Sequence, residues 1–72
     1  MNQEKIFKIR NKITKQYYKG LVFKDPTWHK TEGRNFVELE QAREMKERLE
    51  QDYKQINLEI VVFQWVEVET YD

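Results

Sequence analysis

The sequence predicts an α+β fold: a small antiparallel β-sheet packed by one amphipathic helix, in the chain order β-β-(β)-α-β, with residues 1–72 forming a single domain. Three observations predict it. Two short β-favouring runs near the N-terminus are separated by a polar loop. A helical period sets in at Glu38, and a dense run of β-branched and aromatic residues follows from Leu58.

The first run is Ile6, Phe7 and Ile9 among Lys5, Lys8 and Arg10, so Phe7 and Ile9 share one strand face while Lys8 and Arg10 take the other. This predicts a strand over residues 4–10. NKITKQ (11–16) is polar and reads as a loop, and β-favouring residues return at Tyr17, which predicts a second strand over 16–24 and hence a hairpin. Gly20 inside that strand signals a bulge, and Asp25-Pro26 is expected to end it, because proline offers no ladder donor. In TWHKTEGRNF (27–36), Gly33 supplies a turn, and a short hairpin is expected in which Trp28 and Phe36 flank the turn and pack as a pair.

Leu39, Ala42, Met45, Leu49 and Tyr53 recur at three- and four-residue spacing and predict a helix over 38–54 with a narrow apolar stripe. Glu38, Glu40 and Glu44 suit its N-terminal dipole, and Glu44 with Arg48 forms an expected i,i+4 pair. Asn57 marks the exit. LEIVVFQWVEVETY (58–71) then predicts a long strand over 58–69, apolar on both faces, with Leu58, Ile60, Val62, Val66 and Val68 on one and Val61, Phe63 and Trp65 on the other. A strand of that kind suits the centre of a sheet.

Composition excludes several chemistries. The 72 residues contain no cysteine and no serine, and His29 is the single histidine, so neither a disulfide, a thiolate metal site nor a Ser-His or Cys-His nucleophile can be assembled. Gly20 and Gly33 are the only glycines, which excludes a glycine-rich phosphate loop. A domain this small is also expected to have little room for a pocket of roughly 300 Å³. The chain is therefore read as no enzyme, with no cofactor and no catalytic or metal-binding residue. Without a signal-like or membrane-length apolar run, it reads as soluble, with no membrane partner.

Net charge is zero, yet residues 1–34 carry +6 and residues 35–72 carry −6. Such a dipole steers charged partners, or it reflects a basic hairpin pairing with an acidic helix inside the fold. Two surfaces are candidates for binding. Val61, Phe63 and Trp65 form an apolar patch with a tryptophan anchor of the kind protein interfaces favour. Lys8, Arg10, Tyr17, Tyr18, Trp28, His29, Lys30 and Arg34 mix cations with rings, a combination able to contact phosphates and stack on unpaired bases. Protein contact ranks above nucleic acid, because one helix covers only one face of a sheet and the second apolar face needs a cover. A homodimer is a further candidate for that cover.

The order of KIRNK (8–12), LVF (21–23), Trp28, GRNF (33–36), a helix and LEIVVFQWVEVE (58–69) resembles a family of small uncharacterised tailed-bacteriophage proteins over most of the chain. The chain departs from their pattern after Lys12, where ITKQ stands in place of a tighter glycine turn, and the register of the first hairpin is left open. The resemblance implies a phage origin, a place in the host bacterial cytoplasm and a small sheet with one helix. It transfers no site residue. The function expected is that of a non-enzymatic phage accessory protein that binds and modulates a host or anti-phage defence protein. The alternatives are a nucleic-acid binder using the basic hairpin, or a minor virion assembly component.

Overall fold

The computed structural model describes residues 4–65. It contains strands β1 (Glu4–Asn11), β2 (Tyr17–Val22) and β3 (Asp25–His29), helix α1 (Leu39–Asp52) and strand β4 (Leu58–Trp65). The four strands form one antiparallel sheet in the order β3-β2-β1-β4, and α1 lies on one face against β1 and β4. The expected α+β architecture is present. Residues 66–69 of the expected last strand, with Val66 and Val68, lie outside the described residues.

β1 and β4 pair at every position from Glu4↔Trp65 to Asn11↔Leu58. Alternation along this ladder turns Phe7, Ile9, Leu58 and Ile60 toward the helix. Ala42 and Leu49 of α1 are fully buried against them, and Met45 and Tyr53 pack beside. Four members of the stripe read from the sequence, Ala42, Met45, Leu49 and Tyr53, are thus the ones that dock. α1 has no side-chain cap at Glu38, and Arg48 reaches Asp52 at 3.8 Å in place of the expected Glu44. At its exit Lys54 and Asn57 take left-handed φ values of 57° and 61°.

Three expectations are corrected. β4 is not central: among the described residues it pairs with β1 alone, and the strands flanked on both sides are β1 and β2. Its two apolar faces serve the helix on one side and a ring cluster on the other.

Asp25-Pro26 does not end β2 but opens β3. The chain reverses one step earlier, at Phe23 and Lys24, whose φ values of 51° and 69° match a two-residue type I′ turn. Pro26 is tolerated because β3 lies at the edge of the sheet among the described residues, where a missing amide donor leaves no ladder bond unmade. The bulge expected at Gly20 is present as a register shift between Tyr18 and Gly20.

The third correction concerns 27–36, which forms no hairpin. Trp28 belongs to β3, and its ring meets Tyr18 edge-on at 5.9 Å and 65°. The segment beyond it enters a gap between β1 and β2, which are in register only at Arg10↔Tyr17. There the Arg34 amide donates to Tyr18 O at 2.8 Å, and Phe7 and Phe36 exchange backbone hydrogen bonds of 2.9 and 2.8 Å. This wedge supplies the backbone partners that the diverging strands would otherwise lack. Gly33 is needed for close approach rather than for a turn: a Cβ there would lie 2.7 Å from Tyr17 Cβ and 3.3 Å from Lys8 Cδ.

The buried core is Ile9, Tyr18, Phe36, Ala42, Leu49 and Leu58, so the strands, the wedge and the helix each contribute.

Candidate interaction surface

The helix-free face is assembled by the same register that builds the core. Ile6↔Phe63, Lys8↔Val61 and Arg10↔Glu59 are cross-strand pairs on that face, and Arg10↔Tyr17 adds the first residue of β2. The Lys8 ammonium is 5.5 Å from the Tyr17 ring centroid and 5.3 Å from that of Phe63, and the two rings are 6.1 Å apart at 52°. The Arg10 guanidinium lies 6.0 Å from the Tyr17 ring centroid. Attraction between a cation and a ring's negative face holds such an array together and orients it.

Arg10 is also held by Glu59. Its Nε and Nη2 each lie 2.7 Å from Glu59 Oε2. The hydrogen bond from Arg10 keeps the Glu59 carboxyl below its ordinary range, and the same bond raises the Arg10 guanidinium. Similarly, Lys19 is 3.0 Å from Glu32 and lowers its carboxyl, chiefly through their hydrogen bond. The remaining ion pairs within 4 Å join helix residues to helix residues, as in Arg43–Glu40 and Lys46–Glu50. The expected pairing of a basic hairpin with an acidic helix is therefore not what the described residues form.

The two candidate surfaces read from the sequence converge in part. Val61 is half-buried and Phe63 is 36% exposed, and both sit beside Lys8, Arg10 and Tyr17 on one face. The side chain of Trp65 lies outside the described residues. The other members separate. Tyr18 is fully buried, so its ring is not offered to a base, and Trp28 is half-buried against the core, lining the hollow beside the β2–β3 hairpin. His29 and Lys30 are exposed beyond the end of the Tyr17↔His29 pairing, and His29 Nδ1 accepts from the Glu32 amide at 2.9 Å and from the Thr31 amide at 3.2 Å. That ring organises a turn. Arg34 stacks over Phe36 at 5.2 Å on the wedge.

Open concavities are larger than expected for so small a domain: besides one of about 400 Å³ lined by Arg43, Lys46, Glu47, Glu50 and Ile60, two border the wedge and the β2–β3 hairpin. One, of about 450 Å³, lies between the wedge and α1 and includes Arg34, Phe36, Met45 and Arg48 in its lining. The Tyr18 hydroxyl is buried without a hydrogen-bond partner, and burial is the main reason that it is held above the ordinary tyrosine range, with Arg34 pulling the other way. The other, of about 520 Å³, runs beside the β2–β3 hairpin. Among the described residues no cluster of three or more His, Cys, Asp or Glu side chains is placed to hold a metal, and no helix is long and apolar enough to cross a membrane.

One exposed aromatic escaped the sequence reading. Phe23 is 96% exposed at the hairpin tip, and Phe-Lys contains none of the residues that announce a two-residue turn. Comparison of the chain with protein families, with curated proteins and with solved structures finds no match.

Proposed function

We propose that this is a small non-enzymatic phage accessory protein that binds and modulates a host or anti-phage defence protein through the helix-free face of its sheet. The observation that carries the binding reading is the array of Lys8 between Tyr17 and Phe63, with Val61 alongside: a partly apolar, pre-oriented surface on the face the helix leaves uncovered. The phage origin rests on the resemblance of the sequence motifs.

Charge pairing favours protein over nucleic acid as the partner. Phosphate recognition needs cations free to replace counterions, whereas Arg10 is already engaged by Glu59 and Lys19 by Glu32. Lys8 is committed to two rings. What this face offers instead is ring edges and a β-branched side chain, the usual material of a protein interface.

The test is retention of bacterial proteins on the immobilised chain and on its Phe63→Glu variant, followed by titration of the purified retained protein. The expected result is a partner whose affinity drops about tenfold or more for the variant, as loss of a ring anchor produces. Labelled single- and double-stranded DNA and RNA at two salt concentrations supply the opposing arm. Tight, steeply salt-dependent binding of either, with no protein retained, overturns the reading.

A further inference from the structure

The β2–β3 hairpin ends on a side chain that the fold does not use. Phe23 is 96% exposed and has a φ of 51°, and Lys24 after it has a φ of 69°. Left-handed backbone is unfavourable for a bulky side chain, which is why such turns are ordinarily filled by Asn-Gly. Phenylalanine at this position leaves an apolar ring in water and strains the chain as well. Among the described residues, Phe23 joins neither a ring pair nor a cation–ring contact that would offset this.

The surroundings extend the apolar tip. Leu21 and Val22 are 39% and 52% exposed, and they line the concavity of about 520 Å³ together with Trp28 and Thr27. Pairing of Leu21↔Pro26 and Val22↔Asp25 holds the tip in place, so a partner meets a preformed knob with a hollow beside it.

The charges around the tip narrow the kind of partner. Lys24 and Asp25 are adjacent and of opposite sign, and Lys19 is matched by Glu32 at 3.0 Å. A lipid headgroup or a nucleic-acid backbone would call for an unmatched basic collar. A convex apolar tip within a charge-balanced collar fits a concave apolar socket on a protein, where one aromatic anchor carries a large share of the affinity.

We propose that the β2–β3 hairpin is a second docking element, distinct from the sheet face, and that its Phe23 ring inserts into an apolar socket of a protein partner. The test places the photoreactive residue p-benzoylphenylalanine at position 23 of the full chain and irradiates it in a bacterial lysate. The same residue at Ile13, an exposed apolar position elsewhere, is the control. The adduct is identified, its attachment point mapped, and the protein purified and titrated with the wild type and with the Phe23→Asn, Lys24→Gly double variant.

The expected result is an adduct specific to position 23, attached within an apolar concavity, and an affinity lowered about tenfold or more by the double variant. That variant has the residues the turn favours, so an unfolding midpoint at or above that of the wild type separates lost binding from lost folding. Affinity unchanged within about twofold overturns the proposal, since loss of an anchor cannot be that small. So does an absence of adducts beyond the Ile13 control. Crosslinking only to a second copy, or to nucleic acid, or binding to phosphatidylcholine–phosphatidylserine vesicles that depends on Phe23, overturns it in favour of that occupant. The two readings fail separately: a Phe63→Glu chain that keeps full affinity for its retained protein removes the sheet-face reading, while its position-23 adduct leaves this one standing.

Discussion

The two halves of the sheet are built on different terms. The β1–β4 half is paired at every position and carries the helix on one face and Lys8 and Phe63 on the other, where Tyr17 at the start of β2 completes the ring array. The β2–β3 half has a bulge, a proline in its edge strand and a turn with two left-handed residues that are not glycine. Each of these features weakens a hairpin, and none is needed to bury the core residues of β1, α1 and β4. The difference teaches where stability and exposure have been separated: the first half docks the helix, and the second gives Tyr18 to the core while extending Leu21, Val22 and Phe23 beyond it.

The strongest test of that separation removes a side chain from the supporting half. Leu49→Ala, at a fully buried position of α1, is expected to lower the unfolding free energy by about 2 to 5 kcal/mol in urea titration. A loss under about 1 kcal/mol would mean that α1 is not docked as described.

Gly33→Ala comes next, because the wedge leaves no room for a methyl group against Tyr17. A cost of roughly 1 to 3 kcal/mol is expected by the same measurement, as for other overpacked sites. A neutral outcome would show that the wedge moves away from β2 freely.

On the weaker half the expected sign is opposite. The Phe23→Asn, Lys24→Gly variant should gain about 1 to 2 kcal/mol as the strained turn is relieved. Amide exchange sharpens the same contrast: the Lys8 and Arg10 amides, which alternate with that of Phe7 and so face β4, should exchange only by global opening, and those of β3 faster, by local opening. Equal protection in both halves would erase the distinction.

The smallest effect concerns Glu59. Its folded carboxyl is held below its ordinary value by Arg10, so its contribution to stability is present above the ordinary carboxylate range and is lost as pH falls through the lower, folded value. The stability difference between wild type and Glu59→Gln should therefore shrink between about pH 7 and about pH 3, in thermal melts at fixed ionic strength. A difference that widens on acidification would contradict the pairing.

Much of the core was legible before the structure. The helix stripe from Leu39 to Tyr53 and the alternation of Phe7 and Ile9 are local periodicities, and local periodicity is set by backbone geometry alone. The bulge at Gly20 was legible for a similar reason. The reversal at Phe23-Lys24 was not, since turn reading depends on residues that favour left-handed backbone and neither of these does. Gly33 was recognised as special, but for the wrong cause, because a close approach by a distant strand leaves no mark in its own neighbourhood. Tyr17 and Tyr18 are adjacent and chemically alike. Which of them enters the core depends on the face that β2 turns to the helix, and the sequence does not give it.

The candidate surface shows the same division. Each member is visible in the sequence, but short-range pattern groups Lys8, Arg10 and Tyr17 with Tyr18 and Trp28 and sets Val61 and Phe63 apart as a separate patch. By itself the sequence determined the α+β class, the helix and its docking stripe, the strand-forming runs and the lack of serine and cysteine chemistry, because these follow from residue type and short-range spacing. Only the tertiary structure decided that β4 lies beside β1 at the described edge of the sheet, that 33–36 is wedged between β1 and β2, and that Lys8 rests between Tyr17 and Phe63. Those are matters of register between segments far apart in the chain, where a shift of one residue would move every side chain to the opposite face.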